Sequence, residues 1–152
     1  MYKHIICPID GSSTSACGMT HAIALAKDQN AHLHFIYVVD NYFPVVDATG
    51  DVNYIEISEK LREHGKTILS RAKEAAELVG LTVNTKIVDS TGGQIHKSIL
   101  NSVKKCNADL IVMGTHGLRG IERLVMGSDA ETIVRTSPVP VLLVRMKAKA
   151  NN

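Results

Sequence analysis

Apolar residues along this chain fall into five short blocks, and the stretches between the blocks carry apolar positions three or four apart. The first block, His4-Ile5-Ile6-Cys7-Pro8-Ile9, stops at Asp10-Gly11-Ser12-Ser13. A short apolar run closed by turn residues predicts a strand. Ser12 or Ser13 then caps a helix reaching about Asp28, on which Ala16, Met19, Ile23 and Ala26 recur at helical spacing and are expected to face the sheet. Leu33 to Val39 is the second strand, closed by Asp40-Asn41.

Tyr42 to Asp51 contains Pro44 and Gly50 and little periodicity, which predicts a surface loop whose Val45-Val46 pair packs as a lid or contact surface. Val52 to Val79 reads as the longest helix, with Ile57, Leu61, Ile68, Ala72, Ala75 and Val79 on one side and Gly80 at its end. Leu81 to Val88 alternates apolar and polar residues, the pattern of an edge strand. Thr91-Gly92-Gly93 turns into a helix carrying Ile95, Ile99 and Val103. Asp109 to Met113 is a fourth strand, its apolar run continuous as in a strand buried on both faces. A helix spans Ser128 to Arg135, and Val139 to Val144 is the last strand; Pro140 has no N–H to donate, so the strand proper starts at Val141.

Strands alternating with helices form a βαβ series, and right-handed crossovers then require a parallel sheet with helices on both faces. Ligands of such sheets bind beyond the carboxyl ends of the strands, where the winding reverses. The residues at those ends are Asp10, Val38 to Asp40, Asp89 and the loop after Met113.

Composition narrows this only slightly. The 152 residues suit one domain, expected over 1–146 with a polar tail at 147–152 holding Lys147 and Lys149. With 45% hydrophobic and 21% charged residues and a formal charge of +2, no strong field toward nucleic acid or membrane is expected. Cys7, Cys17 and Cys106 are odd in number and form no C-x-x-C, which suits a reducing compartment; a cytoplasmic protein is expected, with no signal peptide and no run near the roughly 18 apolar residues of a membrane span.

The candidate chemistry lies in Met113 to Ser128, MGTHGLRGIERLVMGS. A strand runs into a glycine-punctuated loop and then into a helix N-terminus, where bare backbone and unpaired N–H groups can hold a phosphate chain. Taken singly, each glycine is equally well explained as a turn former. There is no G-x-G-x-x-G, and Gly65-Lys66-Thr67, which looks like the end of a P-loop, lies inside the long amphipathic helix with Lys60 where the first glycine should stand. His32 and His34 point to one side of the second strand; without a third ligand they read as packing rather than a metal pair. Buried Cys7 reads as an inert small hydrophobe.

Gly114-x-x-Gly117 followed by nine residues and Gly127-Ser128 resembles the ATP-binding signature of the universal stress protein family. The blocks Pro8-Ile9-Asp10-Gly11-Ser12, Tyr37-Val38-Val39-Asp40, Asp109 to Gly117 and Ser137 to Arg145 resemble that family in the same order, so the likeness covers essentially the whole chain. It implies a three-layer α/β/α sandwich, Rossmann-like and similar to the adenine nucleotide α-hydrolases, whose five-stranded parallel sheet has the order 3-2-1-4-5. It also implies bound ATP, AMP or ADP with Mg²⁺. Pro8, Ile9 and Val38 match an apolar adenine slot; Asp10 matches the acid near the ribose and the metal-bound phosphates, and is the expected Mg²⁺ ligand. Met113 and Gly114 match the floor under the ribose, Gly117 and Gly127 the N–H cradle, and Ser128 a hydroxyl that caps the helix while facing the outer phosphates.

Other residues of the loop carry two readings each. Arg119 and Arg123 either add charge to the cradle or are solvated, and ordinary exposure favours the second; His116 touches phosphate or base, or is an exposed turn residue. Asp129 stands where ATP-binding members usually have a small apolar residue. It is either an outward acid favourable to the helix dipole by about 0.3–1 kcal/mol or a charge that repels the terminal phosphate unless Mg²⁺ intervenes.

No general base, nucleophile pair or second acid set is recognisable, so the expected function is a nucleotide-dependent stress-response switch or binding module, with at most slow ATP hydrolysis or autophosphorylation at Ser128. The alternative is a nucleotide-independent homodimer that binds an unknown protein partner, which Asp129 favours. An adenylate-forming or ATP-splitting enzyme would need a histidine-rich adenylation motif or a Ser-Gly-Gly pyrophosphate loop, and the chain has neither. Val141, Leu142, Leu143 and Val144 form an apolar edge followed only by a polar tail, which predicts a homodimer paired through the last strand, as the resemblance also implies.

Overall fold

The apolar blocks lie side by side in a computed structural model that describes residues 1–41, 54–90, 92–115 and 126–146. Among these residues the order is β1 (His4–Pro8), α1 (Ser13–Gln29), β2 (His32–Val39), α2 (Tyr54–Glu77), β3 (Val83–Asp89), α3 (Ile95–Lys105), β4 (Leu110–Gly114), α4 (Ser128–Thr136) and β5 (Val141–Val144). Every strand pair is parallel and the sheet order is β3-β2-β1-β4-β5, the doubly wound arrangement expected. No helix of the described residues is long and apolar enough to cross a membrane.

Alternation along the strands divides the core in two. Ile5, Cys7, Ile9, Phe35, Tyr37, Val39 and Val112 pack against α1 and α2, whereas Ile6, Ile36, Ile111 and Met113 pack against Ile99 and Val103 of α3 and Ala130 and Ile133 of α4. Both faces are covered, which is why β4 reads as unbroken apolar sequence. Burial pushes the Cys7 thiol far above its ordinary range, consistent with an unreactive packing residue.

Two helix faces differ from the expected ones. In α1 the buried side is Ser15, Gly18, Ala22, Ile23 and Ala26; Ala16 is exposed and Met19 half-buried. The reason is a close crossing: a Cβ on Gly18 would lie 2.9 Å from the Gly114 nitrogen, and one on Gly114 would lie 2.6 Å from the Thr14 carbonyl oxygen. Only small residues permit that approach. In α2 the fully buried stripe is Gly65, Leu69, Ala72 and Ala76, flanked by half-buried Ile57, Leu61, Ile68 and Ala75, while Val79 lies beyond the helix end and is exposed. Gly65 is buried because the Tyr37 ring occupies its side-chain space, at 2.4 Å from a Cβ position. With Lys66 paired to Glu63 at 2.5 Å, the Gly65-Lys66-Thr67 triplet is a helical segment and not a phosphate loop.

The amino ends of β1 and β2 carry three imidazoles: His4 stacks on His32 at 5.2 Å between ring centroids and lies 6.0 Å from His34. His4 Nδ1 and His34 Nε2 are buried without a hydrogen-bond partner. The three rings pack on one another at this end of the sheet. Burial, together with repulsion from His4 and His32, holds the His34 imidazole below its ordinary pKa. A base depressed in the folded state contributes stability that is complete above the unfolded value of about 6.5 and is lost as pH falls through the folded value. Lowering the pH from 7.5 to 5 is therefore expected to reduce the melting temperature more in the parent than in His34→Gln; equal slopes in the two proteins would refute it.

Candidate functional site

The winding reverses between β1 and β4, and the carboxyl ends of these strands are where ligands of such sheets bind. On the β1 side the chain continues the sheet by one bond, Ile9 N–H to the Ile36 oxygen at 2.9 Å, and then turns at Gly11 with φ of 85°. Asp10 closes this turn by accepting from Ser12 N–H at 2.9 Å, while its own N–H donates to Ser15 Oγ at 3.1 Å. Ser12 is the α1 N-cap, its Oγ accepting from Ser15 N–H at 3.1 Å. The acid expected at the ribose or metal thus also fixes the entry to α1.

On the β4 side, Thr115 N–H donates to the Val144 oxygen at 3.1 Å, and its carbonyl accepts from Gly127 N–H at 3.0 Å. This bond joins the two described stems of the glycine stretch. Gly127 N–H, expected in the phosphate cradle, is therefore committed to the base of the loop. Gly127, with φ −59° and ψ 147°, is the N-cap of α4, and Ser128 is the first residue inside the helix and exposed, which corrects the expectation that Ser128 caps it. A glycine cap has no side chain to cover the first-turn N–H groups of α4.

Of the residues matched to the adenine slot, Pro8 shares the sheet face of Ile6, and Val38 packs with Met113 on the α3–α4 side. Ile9 is 4% exposed in the opposite core, so it can offer a ligand on this side only its backbone. Met113 and Gly114 are buried at the β4 end. His116, Gly117, Arg119 and Arg123 lie outside the described residues, as does the Tyr42 to Asp51 segment.

The acids at the other strand ends are occupied in holding the fold. Asp40 accepts from Ser90 Oγ at 3.1 Å. Asp89 accepts from Arg62 at 2.5 Å and from Asn41 at 3.3 Å, and the Arg62 hydrogen bond holds its carboxyl below the usual carboxylate range. The described residues outline two clefts, one of about 380 Å³ beside Asn41, Tyr54 and Ile55 and one of about 320 Å³ between β3 and α3. Neither is lined by a residue matched to the nucleotide site.

Asp129 has a partner that its neighbours in sequence did not signal. Its Oδ1 accepts from His96 N–H and from His96 Nδ1, both at 3.2 Å. The acid turns sideways onto the first turn of α3, between its two expected orientations. Gln94, the α3 N-cap, makes no side-chain cap bond, and the first turn of α3 has no acid of its own. One carboxylate therefore serves two helix N-termini, by position for α4 and by hydrogen bond for α3.

The sheet order, with every strand pair parallel and helices between the strands, defines the class: a doubly wound α/β protein. A family model described as the universal stress protein family matches residues 1–145. The universal stress protein MJ0531 of Methanocaldococcus jannaschii is 38% identical over 149 residues, covering 98% of this chain and 85% of that one. Universal stress protein UspA from Lactobacillus plantarum superposes with a TM-score of 0.83 at 25% identity, over 95% of this chain and 98% of that one. A universal stress protein solved in complex with cAMP has a TM-score of 0.70 at 23% identity, over 96% of this chain and 99% of that one, a likeness of fold. The chain belongs to the universal stress protein family.

Proposed function

We propose that this protein binds an adenine nucleotide in the crevice between the carboxyl ends of β1 and β4 and works in the cytoplasm as a nucleotide-dependent stress-response module. The observation that carries the reading is the uncapped N-terminus of α4, held at the mouth of the glycine loop by the Thr115–Gly127 bond. An anion there meets first-turn N–H groups and the positive end of the helix. Pro8, Val38 and Met113 supply apolar surface on the same side of the sheet, and Asp10, at the end of β1, is the acid assigned to ribose hydroxyls or to Mg²⁺ carried by the phosphates. Gly117 belongs to the same loop and is assigned to the phosphate end on the family resemblance, with His116 and Arg119 as candidates for added contacts there.

The active species in this reading is a homodimer paired through β5. That strand lies at the sheet edge, and Leu142, Val134 and Met146 are 40%, 44% and 53% exposed. Such an edge is favoured to pair with a copy of itself. Equilibrium titration of ligand-stripped protein with ATP, ADP and AMP, with and without Mg²⁺, is expected to give saturable binding below about 1 mM for at least one of them, a concentration equivalent to about 4 kcal/mol. Sedimentation of the same sample at micromolar concentration is expected to give a dimer, and Leu142→Lys a monomer. Absence of saturable binding would refute the nucleotide reading, and a monomeric parent would refute the edge pairing.

A further inference from the structure

The His96–Asp129 contact deepens that reading and rests on it. Asp129 is the second residue of α4, in the turn where the outer phosphates of a bound nucleotide would meet the helix. A carboxylate there repels added phosphate charge. A carboxylate on a free side chain could rotate away from an incoming anion. This one is fixed, because a single oxygen receives both a main-chain N–H and a ring nitrogen from His96. Both groups are half-buried, with side-chain exposures of 26% for His96 and 37% for Asp129, so the charge is only partly screened by solvent. For Nδ1 to donate, the ring must carry its proton there, and the N–H and ring donors together orient the carboxylate.

We propose that Asp129, positioned by His96, makes the phosphate end of this site select a nucleoside monophosphate over the corresponding triphosphate. His96 is a positioning residue: it touches the carboxylate and not the ligand. The carboxylate acts as a fixed negative charge, its Oδ1 held by two donors from α3.

The test compares AMP and ATP binding by calorimetry at pH 8, first in EDTA and then with Mg²⁺, for the parent, Asp129→Asn and His96→Ala, each checked for folding by its thermal melt. Asparagine keeps the acceptor oxygen for both His96 donors and removes only the charge. The parent is expected to bind AMP more tightly than ATP in EDTA. Asp129→Asn is expected to strengthen ATP binding about tenfold, the factor equivalent to 1.4 kcal/mol, with AMP changed less than twofold. His96→Ala, which frees the carboxylate, is expected to shift the ratio about threefold in the same direction. An unchanged AMP-to-ATP ratio in Asp129→Asn, or an equal weakening of both nucleotides in the two variants, would overturn the selection while leaving nucleotide binding intact. Mg²⁺ neutralises part of the phosphate charge, so its gain in ATP affinity is expected to be larger in the parent than in Asp129→Asn, and an equal gain in the two would overturn the charge repulsion. Failure of parent and variants to bind either nucleotide would instead refute the binding site itself.

Discussion

Gly114→Ala is expected to destabilise the protein by about 3 kcal/mol, the upper part of the range for overpacking, and to lower its melting temperature by roughly 6–12 °C for a chain of this size. The added methyl would stand 2.6 Å from the Thr14 oxygen, 2.7 Å from the Thr14 carbonyl carbon and 3.0 Å from the Ser15 nitrogen. All three are backbone atoms, so no side chain can swing aside. The helix turn they belong to is tied down by the Ser12 cap and by the bond from Asp10 N–H to Ser15 Oγ. Relief therefore requires α1 to lift from β4 and to strain those bonds. Gly18→Ala meets the other side of the same crossing, at 2.9 Å from the Gly114 nitrogen, and is expected to cost somewhat less. The double variant should cost less than the sum, since a helix already displaced by one methyl has room for the second. Denaturant unfolding of the two single variants and the double variant measures this; strictly additive losses would show that the two glycines do not share one contact.

Gly65→Ala is expected to cost about 2 kcal/mol, although alanine in an ordinary helix interior is favoured over glycine by about 1 kcal/mol. The opposition comes from Tyr37, three of whose ring carbons lie 2.4, 2.8 and 2.9 Å from the added methyl. Tyr37 is itself 4% exposed and meets His64 edge-on at 6.3 Å between centroids, so the ring has little freedom to retreat. In a Tyr37→Val background the ring is gone, and the same Gly65→Ala change should become neutral or stabilising. A reversal of sign between the two backgrounds identifies the ring as the cause. An equal loss in both would place it elsewhere.

The strands were legible because a sheet covered on both faces leaves continuous apolar blocks in the sequence, and right-handed crossovers make such blocks parallel; their order was implied by the family resemblance. Pro140 marked the start of β5 correctly, since its carbonyl still accepts from Ile111 while the ring removes its own donor. The faces of α1 and α2 were less legible. Their closest contacts are made by Gly18, Ser15 and Gly65, residues chosen for small size that carry no hydrophobic signal. A glycine inside a helical pattern is the available clue to such a contact.

The two stems of the glycine stretch were legible, since β4 ends at Gly114 and α4 begins at Ser128. Ser128 has the right chemistry for a cap, but the Thr115–Gly127 bond puts the last non-helical residue one position earlier. The role of Asp129 could not be read locally at all, because His96 is 33 residues away and nothing periodic links the two.

The bond between Thr115 and Gly127 has an evolutionary consequence. It joins the two stems of the loop at the surface of the sheet, so the span between them is a cassette: doubling its length adds only about 0.6 kcal/mol of closure entropy. Insertions and deletions there are expected to leave the register of β4 and the start of α4 unaltered. A lineage can therefore exchange this one segment while inheriting the rest of the scaffold unchanged.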